Sequence, residues 1–199
     1  MLKKICVATL ALAALLAAGC SKPPTVNANM TKVMAPNTQT IWDISSRAFN
    51  AKGDGLDETK ISAADWAKLE DAGVQLRNRA LILAKAKHVK SAARGETILG
   101  EDAVGAPSPI GHDWDAASAK RVQDMIDANP ALFSQRAMIL ADAADTVVQA
   151  SRAKDAEAIY QVSANMDEVC DGCHMKFWGT DEPPPFPHDI APASKAKKH

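Results

Sequence analysis

Two thiols and an imidazole stand within five residues near the C-terminus, in Cys170-Asp171-Gly172-Cys173-His174. On a helix, positions three and four residues apart are neighbours, so these three groups would project from one face. A Cys-x-x-Cys-His run is the attachment signature of c-type haem. The thiols can form thioethers to the porphyrin, and the imidazole can bind its iron from the proximal side. Two other chemistries use similar residues. A thioredoxin-type dithiol should sit near a βαβ pattern, which this sequence lacks. A zinc site needs about four ligands, and no second Cys/His cluster completes this one. One covalent haem c is the expectation, with Cys170 and Cys173 as attachment points and His174 on the iron.

The other end of the chain fits that chemistry. Met1-Leu2-Lys3-Lys4 is a short positive segment, Ile5 to Ala18 are apolar, and Gly19-Cys20 follow. The apolar run is too short for the ~20 residues of a membrane span and reads as a secretory signal. Leu16-Ala17-Ala18-Gly19-Cys20 resembles a bacterial lipobox, with Ala17 where leucine is usual. The resemblance implies cleavage before Cys20 and lipidation of that residue; plain cleavage near Ala18 is the alternative. Several acyl chains on one residue anchor stably, where a single chain holds marginally. Ser21, rather than Asp, after the cysteine favours the outer membrane. Cys6 would leave with the signal and Cys20 would carry lipid, so no thiol remains for a structural disulfide. Haem c is attached outside the cytoplasm, on the periplasmic side where this leader would deliver the chain. Loss of Lys3 and Lys4 takes the formal charge from −1 to −3, and no basic patch with interleaved aromatics points to nucleic acid.

Composition divides the chain into a signal peptide at 1–19, a lipid-anchored tether at 20–30, a helical domain at 31–178 and a Pro/Lys-rich tail at 179–199. The tail, with Pro183-Pro184-Pro185, reads as extended and loosely held. Alternating β-branched runs are missing from the domain. Trp66, Leu69, Gly73, Leu76, Ala80 and Leu83 recur at 3-4-3-4-3 spacing, the seam of an amphipathic helix. Ser62 or Ala63 should lie near its start and Gly95 should stop it, after Lys90 and Arg94 in the last turns. A shorter helix before it carries Ile41, Ile44, Ala48 and Phe49, and Gly53-Asp54-Gly55 turns the chain. After a Gly/Pro-punctuated loop, a third helix starts near Trp114 or Asp115. Asn129-Pro130 either kinks it or starts a new helix with Pro130 in its first turn. Phe133, Ala137, Leu140, Ala144 and Val147 follow on one side. A last helix, about Lys154 to Trp178, brings Ile159, Val162, Met166, Val169, Cys173 and Phe177 onto a stripe that runs into the motif. Four principal helices and no strands describe an all-α, antiparallel four-helix bundle.

A bundle with Cys170, Cys173 and His174 on its final helix, and Phe177 three places later, resembles the class II cytochromes c, the cytochrome c-prime group. Trp178 stands where that family often has Lys or Arg. The resemblance covers about Met30 to Trp178. It implies that Phe177 packs on the haem and that the first helix faces the other side of the iron. There the family places either an apolar side chain, leaving a gas-binding five-coordinate iron, or a methionine. Methionine ligation raises the potential, because a soft thioether favours the reduced metal. Met34 is the candidate sixth ligand on family spacing, although Pro36 could displace it from the helix, with Trp42 or Ile41 then an apolar lid. Met30 is the poorer candidate, within the tether. Such relatives are often dimers through their first two helices.

Other residues suggest less chemistry. His88 reads as a solvated position on the second helix and His112 as part of a helix-entry turn; His188 and His199 belong to the tail. Met125, Met138 and Met166 fall at core spacing. Trp66, Trp114 and Trp178 read as packing or haem-contact residues. No Ser-His-Asp pattern, paired carboxylates or phosphate-binding loop points to an enzyme. The expected function is one-electron transfer between redox proteins in the periplasm or membrane. The alternatives are a five-coordinate haem that binds nitric oxide or carbon monoxide, and a structural haem subunit of a respiratory assembly.

Overall fold

The computed structural model describes residues 25–96, 98 and 119–178. The leader, Cys20, His112, Trp114, the start of the third helix and the tail beyond 178 lie outside the described residues. Within them the chain is mostly helical, with no strand and one isolated bridge between Phe49 and Leu56. The elements are α1 (Val26–Asn29), a π-helical turn (Met30–Met34), α2 (Ala35–Ala48), a short 3₁₀ turn (Glu58–Lys60), α3 (Ala63–Lys85), α4 (Ala119–Ala128), α5 (Pro130–Ala153), α6 (Ala156–Ala164) and α7 (Met166–Phe177). The all-α expectation holds.

The most extensive packing joins α3 to α5. Trp66, Leu69, Gly73, Leu76, Ala80 and Leu83 are all buried, as the 3-4 spacing predicts. Phe133, Ala137, Ala144 and Val147 face them from α5, while Leu140 is only partly buried. The two helices approach most closely at Gly73, where an added Cβ would lie 2.9 Å from Val148 Cγ2 and 3.0 Å from the Ala144 carbonyl oxygen. Ser62 begins α3 with a reciprocal cap: its hydroxyl accepts from the Asp65 N–H, and the Asp65 carboxylate accepts from the Ser62 N–H. Such a cap satisfies two of the N–H groups that a helix start leaves unpaired. The Ser62 hydroxyl bond also holds the Asp65 carboxyl below its ordinary pKa.

Several boundaries differ from the sequence reading. The tether is shorter at its folded end, because Val26–Asn29 are helical and Asn29 is only 2% exposed. Helix α3 ends at Lys85, well before Gly95, and His88 is an exposed residue of the following strap. The strap is held by distant partners. The N–H groups of Val26 and Asn27 donate to the Lys90 and Ser91 carbonyls at 2.8 and 2.9 Å. Gln123 on α4 accepts from the Ser91 N–H and donates to the Val89 carbonyl. Ser134 on α5 donates to the Ala84 carbonyl, one of the acceptors left open at the end of α3. Pro130 starts a new helix, α5, rather than kinking α4. The expected last helix is two, since Lys154 adopts left-handed backbone, Asp155 caps α6, and the chain resets at Asn165. Phe49 is 41% exposed and rests edge-on against Tyr160 instead of entering the core. The expected turn is present, with Gly53 at φ +77°.

Gly73→Ala sets two effects against each other. Alanine favours a helix by about 1 kcal/mol over glycine, whereas forced overpacking costs about 1–3 kcal/mol. Because two of the three nearest atoms are backbone and cannot rotate away, the variant is expected to be less stable by roughly 1–2 kcal/mol. Denaturant unfolding would show it; equal or greater stability would contradict the close α3–α5 approach.

Candidate functional site

Helix α7 has Asp167 and Glu168 in its first turn, next to the positive end of the helix dipole. It packs on α4 and α5, while the N-terminal helical stretch packs on α3 and α6. Between these two sides lies a mostly apolar cavity of about 410 Å³, within the ~300–1,000 Å³ usual for small-molecule and cofactor sites. Cys170, Cys173, His174 and Phe177 line it from α7, as positions 0, +3, +4 and +7 of one helix face should. Both cysteines are half-buried thiols. Phe177 is buried and meets Phe133 of α5 edge to face, ring centres 5.3 Å apart. Trp178 stands edge-on to the His174 imidazole at 5.1 Å.

Across the cavity stand Met30, Met34, Thr38 and Trp42. Met34 is 4% exposed. Pro36 does not displace it. A proline inside a helix lacks the N–H that would bond four residues back, and its ring crowds the preceding turn. Here the chain absorbs that misfit as the π-helical turn, closed by the Ala35 N–H donating to the Met30 carbonyl. The Asn37 side chain donates to the Val33 carbonyl at 2.7 Å, occupying an acceptor in the loosened turn. Met30 therefore belongs to the cavity wall, not to a tether. Trp42 lines the cavity while its indole N–H donates to the Ser163 carbonyl. Ile41 is fully buried in the core away from the lining. Trp66 and Met166 are core residues, and Met125 and Met138 are partly buried against the core.

Spacing alone did not reveal Arg136. It sits on α5 three residues after Phe133 and lines the cavity, with Nη1 3.0 Å from where a Cβ on Gly172 would stand. Its Nε is a buried donor with no hydrogen-bond partner among the described residues, and so is Trp178 Nε1 in the same cavity. A buried donor without an acceptor costs about 1–3 kcal/mol, so two in one apolar cavity mark places where a ligand's acceptors fit. The available signal was a charged residue on the apolar stripe of α5.

Burial pushes the Cys173 thiol up to about 11, with the Arg136 charge pulling weakly the other way. Reactive dithiols work through depressed pKa values, and burial moves Cys173 in the opposite direction. No group of three or more His, Cys, Asp and Glu that could chelate a bare metal ion occurs among the described residues. Nor is any described helix long and apolar enough to cross a membrane. The chain matches no family model, no curated protein and no solved structure.

The raised thiol pKa carries a stability consequence for the chain with its cysteines as thiols. Folding favours the neutral thiol, so this contribution is whole below about pH 9 and is lost as pH rises toward about 11. The loss amounts to roughly 2–3 kcal/mol. Unfolding curves of the thiol-bearing chain should show it across that window, and Cys173→Ala should remove it. An unchanged pH profile in the variant would contradict the buried placement of this sulfur.

Proposed function

We propose that this chain is a monohaem c-type cytochrome of the class II kind, serving one-electron transfer. The observation that carries the reading is the cavity itself: Cys170, Cys173 and His174 line one mostly apolar space with Met30 and Met34. The N-terminal stretch, α3, the α4–α5 pair and the α6–α7 pair are read as the four members of an antiparallel bundle. Lipid on Cys20 would confine the protein to the periplasmic side of a membrane, where tethering raises encounters with membrane-bound redox partners.

Each residue then has a task. Cys170 and Cys173 would hold the porphyrin as thioethers, with each S–H adding across a vinyl double bond. His174 would bind the iron, its ring orientation limited by the edge of Trp178. Phe133 and Phe177 exclude water from one wall. Arg136 and Trp178 present buried donors suited to the carboxylates of the macrocycle. When bound, the haem supplies an iron that takes up and returns one electron. The burial provided by the cavity walls and the side chains offered to the iron would set its potential. Met34, buried in the opposite wall, would offer the iron a thioether, a soft ligand that favours the reduced metal.

Exporting the full chain in a host that attaches haem c, then recording the reduced spectrum with and without carbon monoxide, tests this reading. The expected result is a low-spin spectrum that carbon monoxide leaves unchanged. A carbon monoxide response would favour gas binding over electron transfer, and a colourless protein would remove the haem reading altogether.

A further inference from the structure

We propose that Met30 and Met34 are interchangeable axial ligands, so that the cytochrome holds a reserve sulfur one helical turn from the resident one. The inference rests on the haem reading above. Both methionines line the cavity that His174 enters. They are four residues apart, hence neighbours on one helix face. They are also the first and last residues of the π-helical turn (Met30–Met34). Single π turns occur frequently at functional sites.

The surroundings hold the backbone of this turn in place, and the two side chains it presents to the cavity are unbranched. Thr31 donates to the Asn27 carbonyl at 2.9 Å, and Asn29 donates to the Thr25 carbonyl at 3.0 Å. Further up the helix, Asn37 donates to the Val33 carbonyl. These side chains secure the backbone before and after the loosened bonds. Methionine has three rotatable bonds and reaches across irregular gaps. Met34, the more deeply buried of the two, is the resident ligand; half-buried Met30 takes its place when Met34 is released. Two low-spin states with the same ligand type but different burial follow from this arrangement, and burial is one of the terms that sets a haem potential.

The test uses the full haem-loaded protein with Met30→Leu, Met34→Leu and the double replacement. Leucine conserves volume, so folding should survive; Met34→Ala serves if the leucine variant fails to accumulate. Both single variants should stay low-spin and indifferent to carbon monoxide, with Met34→Leu shifted in midpoint potential. Only the double variant should lose the low-spin spectrum and take up carbon monoxide. A high-spin spectrum from either single variant overturns the inference, as does wild-type protein that binds carbon monoxide. Haem staining on a denaturing gel keeps the two levels apart. Stained but high-spin Met34→Leu sinks only the reserve ligand, whereas unstained wild type sinks the haem reading and this inference with it.

Discussion

One helix face must present two thiols, an imidazole and a phenyl ring to an apolar space without collapsing onto the opposite wall. The rest of the structure follows from that constraint. Helix α7 is supported from behind by α5, and α5 in turn is locked to α3 where Gly73 lets the backbones close to contact distance. The opposite wall is the N-terminal helical stretch. Its first N–H groups are tied to the strap after α3, and that strap is tied to α4 through Gln123. The bracing elements also close the site: Leu83 of α3, Ser91 of the strap, Ile126 of α4 and Phe133 of α5 all line the cavity.

The size of the space sets the energetics. An apolar body filling about 410 Å³ between such walls is worth on the order of 10 kcal/mol, at ~24 cal/mol per Å³. That is comparable to the whole stability of a typical domain, ~5–15 kcal/mol. The figure is an upper one, because the site opens partly to solvent, but it exceeds any surface ion pair here. Arg77 with Asp145, Arg47 with Asp65 and Arg152 with Glu70 are exposed or part-exposed, and such pairs contribute about 0–1 kcal/mol each. Cofactor and fold would on this account be stabilised together, and the two orphaned donors, Arg136 Nε and Trp178 Nε1, would gain acceptors in the same event.

Much of this was legible in the residues. The seam from Trp66 to Leu83, the Ser62 cap, the Gly53 turn and the common face of Cys170, Cys173 and His174 all follow from local periodicity and backbone chemistry. What escaped depends on partners far along the chain. Nothing between Lys85 and Gly95 forbids a helix; α3 stops because Val26, Asn27 and Gln123 claim the backbone of the following strap, and none of them is near it in sequence. Lys154 ends α5 in a left-handed conformation without the glycine that usually signals one. The methionines differ for a third reason: Met30 fell within the expected tether and Pro36 seemed able to displace Met34, yet the helical stretch begins at Val26, absorbs the proline as a π turn and keeps both methionines in the wall. Arg136 shows only as a charge on an apolar stripe, a pattern that surface-facing side chains also produce.

The central claim is covalent chemistry at two named sulfurs, and it has a direct measurement. Protein recovered from its native host, digested and weighed by mass spectrometry, should yield the peptide spanning Cys170 to His174 carrying one added haem, with neither cysteine open to alkylation. The same peptide at its unmodified mass, with both sulfurs alkylated, would contradict the account.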